Sequence, residues 1–388
     1  MLATDIIEAN KLKVSEAKRS KKNYSVTFSH VQNGNLLKTT SDMEKQENST
    51  ENAAAKSGSE EKVTLSNLFP GSYFRDSRWA IKGVTEKSDR HILVTPNMLS
   101  CTISPGLIVW LDGSRELDLN NPGTYDRTSV TDWSLADNRA GKQFYIFAYD
   151  DLIGTIKLVV SDNAIMPKSD GESNIYCHEN TRRIASFHCL CESVGEIEGH
   201  PLSGFKTGDI LPQSVSDLLF QPDCVDISGM VYDPKGRIWV DIYLASGIGA
   251  LTASVFNGEI SDDRTWMDFV DDFGTVGKMM LTEDQFQLAA NGSNEGTNIK
   301  GSKDPVTTGG HQDTKKHRMI SHIGCEDMCG AMYQWLKTSS GSSEYILAGG
   351  YWSSASYCGS RFRAATYCRW YAYSSLGGRG AARSRNSN

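Results

Sequence analysis

The chain has 388 residues, of which 39% are hydrophobic and 22% charged, and a formal net charge of −7. That length accommodates two or three domains, and so modest an acidic balance argues against bulk nucleic-acid binding. No N-terminal apolar run precedes a cleavage site and no apolar stretch is long enough for a bilayer, so neither a leader nor membrane insertion is expected.

In chain order, residues 1–62 are polar. Lys11 to Lys22 is basic, and Ser41 to Lys62 has almost nothing to bury. Such a segment cannot offset its ordering entropy, so a flexible arm is expected, with an attachment or trimerisation arm as the alternative. From Leu65 to Pro222 short apolar runs alternate with turn formers. His91–Val94, Leu107–Leu111, Phe144–Phe147 and Ile156–Val160 read as strands, separated by turns such as Asn121-Pro122-Gly123 and Ser169-Asp170-Gly171. That spacing predicts a β-rich domain over 63–225.

Arg237–Ser246 alternates apolar and polar residues and predicts a strand. Asp262-Asp263 offers an N-cap to a helix whose apolar face carries Trp266, Phe269, Val270, Phe273 and Val276. Thr282 followed by Gln285 fits a capping box, and Gly292 a helix stop. A long Gly/Asn/Thr-rich loop follows to Gly310. Short apolar runs then recur at 319–324, 330–336 and 345–349.

The C-terminal stretch 349–385 interleaves two kinds of residue. One kind suits a scaffold, led by glycines with Trp352, Arg361, Arg363, Arg369, Trp370 and Arg379. The other is Tyr351, Ser353, Ser354, Tyr357, Phe362, Ala364, Thr366, Tyr367, Cys368, Tyr371, Tyr373 and Ser375. Tyr gives large amphipathic contact area at low entropy cost and Ser adapts its hydrogen bonding, so the second set reads as a displayed binding surface. Glycines permit positive φ, the arginine fork can tie loop carbonyls together, and Trp352 and Trp370 can anchor the loop by burial.

This stretch resembles the variable region of the variable proteins of diversity-generating retroelements, of the phage major tropism determinant kind. In that family template Asn codons (AAC or AAT) become any codon ending in a pyrimidine. Such codons can encode Tyr, Ser, Phe, Ala, Thr and Cys, but never Trp, Lys, Gln, Glu or Met. All twelve positions of the second set carry permitted residues, and both tryptophans fall in the scaffold set. The resemblance covers roughly 226–388, and more weakly 176–225, where Asn180–His188 and Gly208–Leu218 resemble a segment preceding the lectin-like domain. It implies an α+β chain: a C-terminal C-type lectin fold, akin to the formylglycine-generating enzymes, over 226–388, preceded by the β-rich domain. It also implies a non-enzymatic receptor-binding protein of a phage tail fibre, carried in the virion. Its partner would be a host cell-surface protein or glycan, engaged by a homotrimer. The twelve positions would contact ligand, and the Trp and Arg residues would hold the backbone.

Other readings remain beside this one. Arg361, Arg363, Arg369, Arg379, Arg383 and Arg385 follow Glu344 with no Asp, Glu or Lys among them. Basic residues beside a Tyr-rich face suit an anion or nucleic-acid groove. Ala381 to Arg385 reads as a simple tail. The motifs at 330–336 and 349–352 also resemble the formylglycine-generating enzymes, which would make Cys358 and Cys368 candidate reactive cysteines. Nine cysteines without a leader predict buried thiols rather than disulfides. Cys325 and Cys329, with His311, His317 and His322 nearby, lack zinc spacing. No cofactor is expected, while the oxygens of Glu326 and Asp327 leave a structural calcium ion open. Gln221-Pro222-Asp223 matches a tripeptide of galactose-type calcium lectins, but it lies before the fold begins, so calcium-dependent sugar binding is not expected.

Overall fold

The computed structural model describes residues 135–150, 156–165, 167, 181–217, 220–341 and 343–385, together with the backbone of five short strands between residues 92 and 128. The chain divides into residues 1–74 and 75–388, and every described residue belongs to the second unit. The expected arm at 1–62 lies outside the described residues.

Four of the expected strand segments form strands. β1 (Ile92–Val94) pairs with β2 (Cys101–Ile103), and β3 (Ile108–Leu111) with β4 (Arg115–Asp118), both antiparallel. β5 (Arg127–Thr128), a one-turn helix α1 (Ala136–Arg139), β6 (Gln143–Asp150), β7 (Ile156–Ser161), β8 (Thr181–His188) and β9 (Ser216–Asp217) follow. Their strands make one sheet in the order β5-β7-β6-β8-β9. Residues 144–149 of β6 are all buried, so this strand is covered on both faces.

The remaining elements are β10 (Met230–Asp233), β11 (Ile238–Asp241), α2 (Trp266–Thr275), β12 (Met279–Met280) and α3 (Glu283–Ala289). Then come β13 (Tyr333–Ser339), β14 (Glu344–Gly349), β15 (Gly359–Cys368), β16 (Leu376–Gly377) and β17 (Gly380–Arg383). They build two four-stranded sheets, β10-β11-β17-β12 and β15-β14-β13-β16. Two helices, a long irregular loop and late short strands are the α+β arrangement expected of a lectin-type fold.

Local chemistry sets both helices, with two corrections. The N-cap of α2 is Thr265 rather than Asp262 or Asp263. Thr265 Oγ1 accepts from the Asp268 N–H, and the Asp268 side chain accepts from the Thr265 N–H. Asp263 is held at φ +49°, which ends the preceding loop instead of opening a helix. Val270 lies off the buried stripe at 39% exposed, while Asp272 is buried in its place, paired with Arg264 at 2.7 Å and accepting from the Gly249 N–H. The buried stripe is therefore Phe269, Phe273 and Val276. α3 carries the expected Thr282/Gln285 capping box, and Gly292 follows it at φ +83°.

Three further expectations change. β11 does not alternate in burial. Ile238 and Val240 enter the main core, Trp239 packs against Met230 and Ala382, and Asp241 is buried against Lys278 at 2.7 Å. Residues 381–385 are no simple tail, because β17 sits between β11 and β12 with Ala381 fully buried. Finally, the expected boundary at 225/226 crosses one apolar core. Leu190, Val194, Leu202 and Leu211 pack with Val231, Val240, Phe286 and Ile346. Segment 221–223 also clasps the chain end, with the Asp223 N–H donating to the Arg383 carbonyl and Asp223 paired with Arg385 at 3.5 Å. That placement accounts for Gln221-Pro222-Asp223 as a structural segment.

Candidate ligand-binding face

The display begins with one sheet. β13, β14 and β15 place Tyr333, Trp335, Tyr345, Leu347, Ala364 and Tyr367 in one apolar cluster with Phe269 and Phe273 of α2. Trp266 stacks on Tyr345 with centroids 3.8 Å apart, and its indole N–H donates to the Leu336 carbonyl. One face of the sheet is thus fixed by α2. Arg363 leaves from the other side and meets Glu283 of α3 at 2.7 Å.

Eleven of the twelve expected ligand positions have described side chains, and these fall into three groups. Ser353, Tyr357, Tyr371 and Tyr373 are exposed, Tyr357 to 71%, Tyr373 to 51% and Tyr371 to 39%. Tyr351, Phe362, Ala364, Tyr367, Cys368 and Ser375 are half-buried. Thr366 lies on β15, and its side chain is outside those described. Ser354 is buried at 8% exposed, with its hydroxyl accepting from the Tyr351 N–H and donating to the Tyr333 hydroxyl.

Ring contacts join these positions. Tyr351 and Phe362 both pack on Tyr333, with centroids at 4.9 and 5.8 Å. Tyr367 meets Tyr371 at 6.0 Å, and Tyr371 meets Tyr373 at 5.9 Å. Burial raises the Tyr333 hydroxyl pKa, and Tyr367 and Tyr351 lie close enough to add to that rise. Tyr333 thus holds the first ring cluster together, and Tyr367, Tyr371 and Tyr373 form a second one. Tyr333 lies outside the stretch 349–385 and was not among the expected site residues. The signal was present, since Tyr333 and Trp335 stand two apart on one strand and so share a face.

The backbone of this region is held by residues outside it. The Trp352 N–H donates to the Ala331 carbonyl, and Asn298 donates to the Trp352 carbonyl. The Glu295 carboxylate accepts from the Ser360 N–H at 2.9 Å. The Arg369 N–H donates to the Ser343 carbonyl, the Trp266 N–H to the Arg369 carbonyl, and the Asp263 N–H to the Tyr373 carbonyl. Gly349 and Gly350 turn the chain into the first loop at φ +87° and +80°. A Cβ there would approach the Met328 and Tyr357 carbonyls to 2.5 and 2.7 Å, so both conformation and space require glycine.

The scaffold set separates on inspection of its contacts. Arg379 is 1% exposed and donates to Gln334 Oε1 and to the carbonyls of Asp241, Ile242 and Glu326. It ties together three segments distant in sequence. Trp352 is half-buried against Leu244, Ile260, Met332, Ile299, Met319 and Ala331. Trp370 corrects the expectation of a buried anchor, because it is 56% exposed. Arg361 and Arg369 are also exposed, and among the described residues neither has a carboxylate partner. Their carbonyl-tying role is not observed; the Arg369 guanidinium instead lies over the Trp370 ring at 6.0 Å.

Beneath the face lies a buried charged layer. Arg318 pairs with Glu326 at 2.7 Å, and His311 with Asp327 at 2.8 Å. The Glu326 carboxylate is thus turned toward a guanidinium and Asp327 Oδ2 toward an imidazole, while Asp327 Oδ1 is buried without a hydrogen-bond partner. Among the described residues no three His, Cys, Asp or Glu side chains converge as a metal site, and the seven cysteines described there are free thiols. Burial pushes the Cys358 thiol up to about 11.

No family model matches the chain. Among solved structures, it shares the fold of the Major Tropism Determinant variants. The P3c variant superposes with a TM-score of 0.62 and 21% identity over 83% of this chain and 88% of that one, and the U1 variant with 0.61 at the same identity and coverage. In sequence, the chain is similar to the tail fiber receptor-binding protein of Bordetella phage BPP-1, 26% identical over 265 residues, covering 57% of this chain and 66% of that relative.

Proposed function

We propose that this chain is a hypervariable receptor-binding protein of a phage tail fibre, diversified by a retroelement. The observation that carries the reading is the division of labour in 349–385. Backbone groups of this stretch bond to fixed segments, while Tyr357, Tyr371 and Tyr373 project into solvent. A surface held this way can change side chains without changing shape. The likeness to a phage receptor-binding protein and to tropism determinants agrees with it. The partner is a protein or glycan on the host surface, the site of action is the virion, and a homotrimer would multiply weak contacts by avidity. No helix among the described residues is long and apolar enough to cross a membrane.

The enzyme reading gains no support from the geometry. Cys368 pairs opposite Glu344, and Gly359, next to Cys358, pairs opposite Gly349, so about five residue steps of β14, roughly 17 Å, lie between the two cysteines. Paired cysteines need Cα atoms within roughly 7 Å. The nucleic-acid reading loses Arg379 to burial, Arg363 to Glu283 and Arg385 to Asp223. The test is the DNA downstream of the gene. A near-copy of the codons for 349–385 with Asn codons at the twelve positions, beside a reverse-transcriptase reading frame, is the expected result. Finding neither would overturn the diversification mechanism.

A further inference from the structure

We infer that Trp370 is a fixed contact residue of the binding face, shared by every variant of it, and that with Arg369 it meets an apolar spot beside a carboxylate on a folded protein ligand. The inference rests on the display reading above and names part of its specificity.

The first observation is exposure. A tryptophan can bury a very large apolar area, yet Trp370 leaves 56% of its surface in water, beside exposed Tyr371 and near exposed Tyr373. The second is rigidity. Trp370 is the third residue of a turn closed by the Tyr371 N–H on the Cys368 carbonyl at 3.0 Å. Arg369, immediately before it, is held on both sides, by Ser343 through its N–H and by Trp266 through its carbonyl. The ring is therefore offered on a backbone that is already ordered, and little entropy is lost on contact. The third is charge. The Arg369 guanidinium lies over the ring at 6.0 Å and, among the described residues, has no carboxylate partner. That exposed cation favours an acidic group on the ligand at this spot, against the chain's overall net charge of −7. Arg369, Trp370 and Tyr371 are exposed side by side, and arginine, tryptophan and tyrosine are the residue types enriched at protein–protein hot spots.

Tryptophan is also outside the set that pyrimidine-ending codons can encode. Position 370 would then stay constant while its neighbours change. A constant anchor gives every variant some starting affinity, and the variable tyrosines decide which partner adds to it.

The test uses the full-length chain with the twelve positions randomised over pyrimidine-ending codons and displayed on filamentous phage. Selection is run against serum albumin, an acidic folded protein, and separately against heparin. Trp370→Ala, Trp370→Phe and Arg369→Ala are then introduced into each selected binder. Trp370→Ala is expected to weaken albumin binding at least about tenfold with the melting temperature unchanged, Trp370→Phe to restore most of it, and Arg369→Ala to weaken it by a smaller factor that shrinks at high salt. Albumin binders that keep their affinity within about twofold in Trp370→Ala would overturn the inference and leave the display reading intact. Binders to heparin alone would overturn the protein ligand. No binders to either probe would overturn the display reading, and this inference with it.

Discussion

Ser354 shows how a position expected to vary freely can still be constrained. Its hydroxyl serves both the Tyr351 N–H and the Tyr333 hydroxyl, and the side chain is enclosed. A larger side chain must displace Tyr333, on which Tyr351 and Phe362 pack. Ser354→Tyr is expected to cost about 1–3 kcal/mol in urea unfolding, whereas Tyr357→Ala, which removes only exposed surface, should fall within about 0.5 kcal/mol. Arg379 is the opposite kind of residue, satisfied at every side and buried. Arg379→Met strands an amide oxygen and three carbonyls and should cost at least about 3 kcal/mol, or prevent folding. His311 carries a pH signature. The charge of Asp327 raises the His311 pKa, while His311 holds Asp327 below the usual carboxylate range despite burial. The histidine's contribution is complete below its unfolded value of about 6.5 and is lost as pH rises through the folded one. The aspartate's contribution is present above about 3.9 and is lost as pH falls through its own lowered value. The pair thus stabilises most between about pH 4 and about pH 6.5, and His311→Asn should flatten the fall in stability above pH 6.5 in denaturant titrations. An unchanged fall would assign it to another group.

At the level of elements, the legible parts were those with local chemistry. The Thr282/Gln285 box specified α3 because cap and partner lie three residues apart. Thr282→Ala should therefore cost about 1 kcal/mol in thermal or urea unfolding. The start of α2 was misread because Asp262 and Asp263 also satisfy the preference for a cap, and only the loop's left-handed turn at Asp263 excludes them. β17 was illegible for a different reason. Gly380-Ala381-Ala382 has no apolar run or period, and its central place is set by backbone pairing with β11 on one side and β12 on the other. Truncation after Gly378 would remove that strand and is expected to abolish cooperative unfolding; a truncated chain with a native melt would contradict the sheet order. The aromatic positions were legible by type, but their split was not. Whether a tyrosine leans on Tyr333 or projects into water is set by the register of β14 and β15, which shifts by bulges.

For the whole molecule, the structure separates what must stay from what can change. The core runs from Leu190 to Ala381 without a break at 225/226, so the segment before the lectin-type elements helps to hold them. The buried layer of Arg318, Glu326, His311, Asp327 and Arg379 ties the loops beneath the face together. None of those residues is among the twelve positions. The most direct test of this separation is to randomise the twelve positions together over pyrimidine-ending codons in the full-length chain, and to measure the fraction of members that resist protease as the parent does. Most members with a small residue at 354 are expected to stay folded, while their binding to host cells changes from member to member. Survival confined to members close to the present sequence at the exposed positions 353, 357, 371 and 373 would contradict that separation.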